Sequence, residues 1–477
     1  MKILSALEAR EAFLEGRLRA QDMVEAHLEE IDKHNDSVNA FIHVTRQEAL
    51  DKAKALDQAL EEGKDLGPLA GIVISLKDNI SYKGVPMTCG SKMLENYIPP
   101  YDAEIVDKLK AADAIIIGKT NLDEFAMGSD TKTSHFGVTR NPANLDLVAG
   151  GSSGGAAASV AAHMCQLAIG TDTGGSVRQP AGLCGIVGMK PSYGSISRHG
   201  IAPMANSFDQ VGVLGQNVED VAYLLSILEG RDPKDASSTG NPSLSKEAID
   251  QAKDLKDLKV AVPAFYLDFD LEDSVREGYQ KVINFLKDHG AQVEEVDLAT
   301  LPHTVECYYA LINAEVTSNM SRYDGIIYGY RAEDYDNLDD FYTKTRSQGF
   351  GSEVKRRIML GAYLTSMDEE EGYYKKAVTL RKQMIKEFEA LFKDYDLLLS
   401  PTSPMSGFGV DHDLSPTEIY MSDMFTPPVN LAGLAGISVP VEALGKVVGV
   451  QFISDKFKDA QALKTAGDYE RKMSHGI

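Results

Sequence analysis

The stretch from Gly150 to Ser176 reads G-G-S-S-G-G-A-A-A-S-V-A-A-H-M-C-Q-L-A-I-G-T-D-T-G-G-S. Gly150, Gly151, Gly154 and Gly155 let the backbone turn sharply and approach a ligand closely. Ala156 to Ala162 has the propensity to start a helix at once. That places Ser152 and Ser153 at a helix N-terminus, where free N–H groups and the dipole favour developing negative charge. Leu167 to Gly170 reads as a short buried strand that carries Thr171-Asp172-Thr173-Gly174-Gly175-Ser176 to a second tight turn. A serine reached through two glycines is a candidate nucleophile. The N–H groups of Thr173, Gly174 and Gly175 before it are candidate oxyanion donors. A phosphate-cradling loop is excluded, because no G-K-[ST] closes the run. Ser153 fits G-x-S-x-G formally, but the nucleophile elbow needs an acid and then a histidine downstream, and no later histidine has a distinctive setting.

Working outward, Gly71-Ile-Val-Ile-Ser-Leu-Lys77-Asp78-Asn79 is a β-branched run that ends in lysine at a strand terminus. Together with Gly150–Gly155 and Gly170–Ala181, it resembles the amidase signature family. The resemblance runs from about Leu66 into the C-terminal region. It implies a Ser–cis-Ser–Lys triad, with Ser176 as nucleophile, Ser152 as the cis serine and Lys77 as base. The chemistry is intelligible by itself. A serine hydroxyl is a weak nucleophile that needs a base, and lysine serves only when neutral, so burial must lower its pKa from ~10.4. The middle serine would relay the proton. The resemblance further implies an α/β fold: a mixed central β-sheet covered by helices on both faces, with N-terminal helices. Residues 1–477 would form one domain, divided into an N-terminal helical region (1–65) and a catalytic α/β core (66–477).

The chain has 477 residues and a net charge of −23, which excludes direct wrapping of nucleic acid by a basic surface. No run of eighteen apolar residues exists and Met1-Lys-Ile-Leu-Ser is no signal peptide, so the reading is of a cytoplasmic protein with no membrane contact. Cys89, Cys165, Cys184 and Cys307 show no C-x-x-C pair and read as buried reduced thiols, with no metal site.

In chain order, Ser5 and Glu8 form a capping-box pattern. Met23, Val24, His27, Leu28 and Ile31 make a helical stripe, and Leu50, Ala53, Leu56 and Leu60 a third helix that Gly63 stops. Ile105, Val106 and Leu109 predict a helix, and Ile115–Ile117 a strand. Gly118-Lys-Thr-Asn-Leu-Asp-Glu-Phe-Ala-Met127-Gly128 resembles a family segment lining the substrate site, which implies Met127 and Gly128 as substrate neighbours. Its Gly118-Lys119-Thr120 ends like a P-loop, but Asp113 stands where the first glycine belongs, so no ATP site is read here. Lys259–Val262, a helix carrying Val275, Tyr279, Val282 and Leu286, and Gln292–Val296 predict a β-α-β unit. Glu333 to Asp340 reads as a solvated acidic loop. Leu397–Ser400 and Ile437–Val439 are buried-strand candidates.

The C-terminal half narrows the resemblance. Tyr308-Tyr309, Ser318–Gly325, Ser347–Gly361 and Asp423–Gly433 are similar to the glutaminase subunits of tRNA-dependent amidotransferases. Such subunits hydrolyse glutamine and feed ammonia to a partner that amidates glutamate or aspartate mischarged on tRNA. The resemblance implies a hetero-oligomer with two partners, a tRNA-binding kinase/transamidase (the B subunit) and a small C subunit. It also implies no cofactor on this chain, and ATP and Mg²⁺ on the partner. By motif position Arg357 would take the glutamine α-carboxylate through its planar fork, Asp423 the α-ammonium, and Tyr308 would orient the main-chain end. Arg356 could exchange with Arg357. The alternatives are a stand-alone amidase of small amides and an inactive interaction subunit.

Overall fold

The computed structural model describes residues 3–241, 243–366 and 372–474. Ser5 caps the first helix, Ala6–Leu14, through the reciprocal pair with Glu8 that the sequence predicts. Helices Ala20–Val38 and Arg46–Glu61 follow, and His27 on the first is buried with its Nδ1 2.8 Å from the His163 carbonyl. The N-terminal segment is not wholly helical. Between these helices a four-residue strand, β1 (Phe41–Val44), enters the main sheet. It is too short to carry a period, and its pairing partner lies far along the chain.

β2 (Val73–Lys77), β3 (Ile115–Thr120), the ribbon β4 (Arg140–Asn141) and β5 (Asn144–Val148), then β6 (Leu167–Asp172), β7 (Val187–Lys190) and β8 (Gln210–Gly215) come next. The remaining strands are β9 (Lys259–Pro263), β10 (Gln292–Val296), β11 (Leu397–Pro401), β12 (Ala435–Ala443) and β13 (Lys446–Ser454). Eleven of them make one sheet in the order β1-β3-β2-β6-β8-β7-β12-β13-β11-β9-β10. β2 runs parallel to β3 and β6, while β1–β3, β6–β8 and β12–β13 are antiparallel, so the sheet is mixed.

Both faces of this sheet are covered, so β2, β3, β6 and β8 are buried throughout. Side chains alternate across a strand. Ile74, Leu76, Ile116, Leu167 and Ile169 therefore enter one apolar core, and Val73, Ile115, Ile117 and Ala168 enter the other. The second core holds the N-terminal helices and the helix Gly154–Ala161. β13 follows β12 through Leu444 and Gly445, both with positive φ (50° and 73°). A leucine in that conformation is no sequence signal for a hairpin. The predicted β-α-β unit forms, with β9 and β10 parallel and the helix Asp273–Asp288 between them. Of the acidic stretch read as a loop, Leu338 to Asp340 instead opens the helix Leu338–Gly349, capped by Asn337. The four cysteines are free and buried.

Parallel pairing of β2 with β6 puts Lys77 and Asp172, their last residues, at the same edge of the sheet. In open α/β sheets ligands bind outside the carboxyl ends of such strands.

Candidate active site

Lys77 is fully buried, and its Nζ lies 2.8 Å from Ser152 Oγ, 2.8 Å from Ser153 Oγ and 3.3 Å from the Thr171 carbonyl. Burial drives the amine toward its neutral form and lowers its pKa to about 7, against the pull of Asp123, Asp172 and Asp209. Ser152 follows a cis peptide bond from Gly151, and Ser153 is the N-cap of Gly154–Ala161. The two hydroxyls are not equivalent. Ser153 Oγ donates to the Thr171 carbonyl (3.2 Å) and so accepts from Lys77. Ser152 has no such outlet among the described residues, so its proton is free to move between the lysine lone pair and a neighbour.

Ser176 stands on the turn after β6, and its carbonyl accepts the Ser153 N–H at 3.1 Å. Its Oγ makes no hydrogen bond to any described residue, so the contact with Ser152 that a relay needs is not made here. Such contacts tighten when substrate fills a site. The turn is held from below by Asp172, which accepts from Gly175 N–H (2.9 Å), Val177 N–H (3.2 Å), Arg178 Nε and Nη2 (both 3.0 Å) and Asn430 Nδ2 (2.9 Å). Burial opposes ionisation of Asp172, but the Arg178 guanidinium outweighs it and holds the carboxyl far below the usual range. Gly175 has φ +124°, and a Cβ there would sit 2.1 Å from Thr426 Oγ1, so no other residue fits this position. Arg178→Ala is expected to cost about 3–5 kcal/mol, since it strands a buried carboxylate. A urea unfolding midpoint measures this, and a loss below ~1 kcal/mol would contradict the role given to the pair.

The predicted oxyanion donors divide. Gly175 N–H is taken by Asp172; Thr173, whose hydroxyl donates to Asp209 Oδ1 at 2.6 Å, is not among the residues that line the cavity. Gly174 and Ser176 face the cavity, and their N–H groups donate to no described residue.

That cavity opens at the serine turn and is narrow. Ser176, Gly128, Tyr308, Arg357 and Asp423 all line it. Met127 does not. Phe125 and Ala126 have positive φ (50° and 63°), which turns the Met127 side chain into the apolar core and leaves Ala126 and Gly128 at the wall. Arg357, not Arg356, is the buried arginine. It is 3% exposed and donates from Nε to Glu353 Oε1 at 2.8 Å. The Arg356 side chain is 45% exposed and reaches the same carboxylate from outside.

Several residues at the site were not singled out in the sequence. Ser129 Oγ (3.0 Å) and Tyr309 Oη (2.7 Å) both donate to Asp423, whose carboxyl burial raises to about 6 despite those bonds. The Arg357 guanidinium lies over the Tyr309 and Tyr420 rings, 5.2 and 5.6 Å from their centroids, and Tyr420 Oη donates to Glu353 at 2.6 Å. Tyr308, by contrast, backs the serine turn: a Cβ on Gly174 would meet its Oη at 2.3 Å. Tyr309, the neighbour, makes the bond to Asp423. The site thus sets a buried cation and a buried anion around one small cavity that also holds an unengaged serine hydroxyl.

The sequence profile described as "Amidase" matches residues 22–463. The chain belongs to the amidase family. It is 45% identical over 475 residues to the A subunit of the glutamyl-tRNA(Gln) amidotransferase of Fusobacterium nucleatum, covering 98% of this chain and 96% of that protein. Among solved structures, it superposes on the A subunit of the glutamyl-tRNA(Gln) amidotransferase from Thermotoga maritima with a TM-score of 0.77 at 38% identity, covering 94% of this chain and 90% of that one. A chain from a vestigial protein complex that bears on the origins of an s-triazine catabolic enzyme reaches a TM-score of 0.86 at 29% identity, with 98% of both chains covered. Amidase backbones are therefore shared across substrates, and the substrate has to be read from side chains. Among the described residues no cluster of His, Cys, Asp and Glu could hold a metal ion, and no helix is long and apolar enough to cross a membrane.

Proposed function

We propose that this chain is the glutamine-hydrolysing subunit of a tRNA-dependent amidotransferase. In this reading Lys77, as the neutral amine, takes a proton from Ser152 while Ser152 takes the Ser176 proton, and Ser176 Oγ bonds to the side-chain amide carbon of glutamine. The carbonyl oxygen becomes an oxyanion facing the Gly174 and Ser176 N–H groups. The C–N bond then breaks as the proton returns through Ser152 to the leaving nitrogen, releasing ammonia. Water attacks the γ-glutamyl ester by the same relay and frees glutamate. Ammonia passes to a partner subunit, which holds the tRNA and, with ATP and Mg²⁺, activates the carboxylate of glutamate mischarged on glutamine tRNA. The relatives named as A subunits of glutamyl-tRNA(Gln) amidotransferases support this assignment.

The observation that carries the choice of substrate is the placement of Arg357 and Asp423 in the cavity of Ser176. A free amino acid presents a carboxylate and an ammonium together, and a simple amide presents neither. Arg357 is assigned to the carboxylate, with Glu353 and the two tyrosine rings fixing its plane, and Asp423 to the ammonium. Arg357→Ala should raise the glutamine KM on the order of 100-fold, because a buried carboxylate left unpaired costs several kcal/mol. Added free ammonia should restore amidation by the assembled complex. Unchanged KM in both Arg357→Ala and Asp423→Ala would place the chain among amidases of other substrates.

A further inference from the structure

Lys77 is buried among carboxylates, and each of them is held differently. Asp172 is answered by the Arg178 guanidinium and Asn430. Asp209 accepts from Thr173 Oγ1 and from the Met204 and Ala205 N–H groups (2.9 and 3.0 Å), with Arg198 beyond. Asp123 is fully buried, yet its donors are uncharged: Thr131 N–H at 3.0 Å and Thr133 Oγ1 at 2.9 Å. It forms no ion pair among the described residues. Its main chain is fastened to the serine segment, the Asp123 N–H donating to the Ser152 carbonyl at 3.3 Å. Its carboxylate lies against the same peptide: a Cβ on Gly151 would be 2.1 Å from Oδ2, and one on Gly128 would be 2.2 Å from Oδ1. Glycine at both positions lets a carboxylate sit directly behind the cavity wall, beside the hydroxyl that Lys77 touches.

A charge placed there without a cation of its own needs a reason. We propose that Asp123 is a positioning residue whose carboxylate is the counter-charge that keeps Lys77 basic enough to accept the proton relayed from Ser176. The inference rests on the base role proposed above for Lys77. Burial alone would leave the amine a feeble base, and Asp123 is foremost among the carboxylates that oppose it. The influence is mutual. Burial and nearby Asp130 push the Asp123 carboxyl up, while the Thr131 and Thr133 donors and then Lys77 pull it back down. Asp130 itself is paired with His412 Nε2 at 3.0 Å, while Asp123 and Lys77 both touch the Gly151–Ser152 segment, Asp123 through its N–H to the Ser152 carbonyl and Lys77 through Ser152 Oγ.

The test is a pH titration of Lys77 in the full chain, labelled with ¹³C at lysine Cε, its resonance assigned by loss in Lys77→Met. Asp123→Asn keeps the shape and removes the charge, and should lower the pH at which Lys77 titrates by about one unit or more. Should Asp123→Asn fail to fold, Thr133→Val serves. It removes a hydrogen bond to the carboxylate, makes Asp123 ionise less readily, and should shift Lys77 in the same direction by less. A Lys77 titration unmoved in the variant that folds overturns the proposal. The acid limb of glutamine hydrolysis in Asp123→Asn, measured in parallel, should move to lower pH by the same amount. If the amine shifts and the limb stays, the counter-charge stands and the base role of Lys77 falls.

Discussion

Ser176→Ala is expected to reduce glutamine hydrolysis by roughly 10⁴-fold or more, because it removes the acyl acceptor and leaves only binding and oxyanion stabilisation. Stability should change by less than ~0.5 kcal/mol, since Oγ makes no hydrogen bond to any described residue and the truncation deletes one atom at a cavity wall. Ser153 is the instructive control. Like Ser152 it touches Lys77 at 2.8 Å, but its own proton goes to the Thr171 carbonyl, which makes it a support for the amine and not a relay. Ser153→Ala should therefore cost about tenfold, the worth of one hydrogen bond holding the lysine. Steady-state ammonia release measures both variants. A dead Ser153→Ala beside an active Ser176→Ala would reinstate the nucleophile-elbow reading of Gly151–Gly155.

The second large effect is at Lys77. Lys77→Arg should lose roughly 10³-fold or more in kcat, nearly as much as Lys77→Ala, because a guanidinium stays protonated and has no lone pair to offer. The sign of the pH dependence follows from the same chemistry. The working form is the neutral amine, so activity is present above the lysine pKa of about 7 and falls as pH drops through it. A Lys77→Arg protein that retains wild-type turnover, or a rate flat from about pH 8 to about pH 6 (roughly one unit either side of that pKa), would rule out lysine as the base.

Lys77, Ser152 and Ser176 are singled out by the resemblance of their motifs to the amidase signature family, and the fold brings Lys77 Nζ within 2.8 Å of Ser152 Oγ. A β-branched run ends at the lysine, and glycines surround both serines where the backbone must turn tightly. The buried strand β6 was legible in the short apolar run Leu167 to Gly170, and β3 in Ile115–Ile117. Other features are not local. Ser129 and Asp423 are 294 residues apart and meet only in the fold, and Tyr309 differs from Tyr308 only in which side of its helix faces Asp423. Met127 looked like a wall residue by motif, but two consecutive left-handed residues reverse it into the core. Gly175 looked like an oxyanion donor until the Asp172 carboxylate claimed its N–H. β1 and β13 escaped because the first has four residues and the second begins after a leucine at positive φ.

The central claim is that Ser176 hydrolyses the amide of an amino acid recognised by both of its charged main-chain groups. The measurement that tests it most directly is ammonia release by the chain assembled with its partner subunits, comparing glutamine with amides of similar length that lack the α-ammonium, the α-carboxylate or both. The account predicts that kcat/KM is highest for glutamine, falls on the order of 100-fold when either charge is removed, and vanishes for every substrate in Ser176→Ala. Equal or faster turnover of an amide that carries neither charge would contradict it.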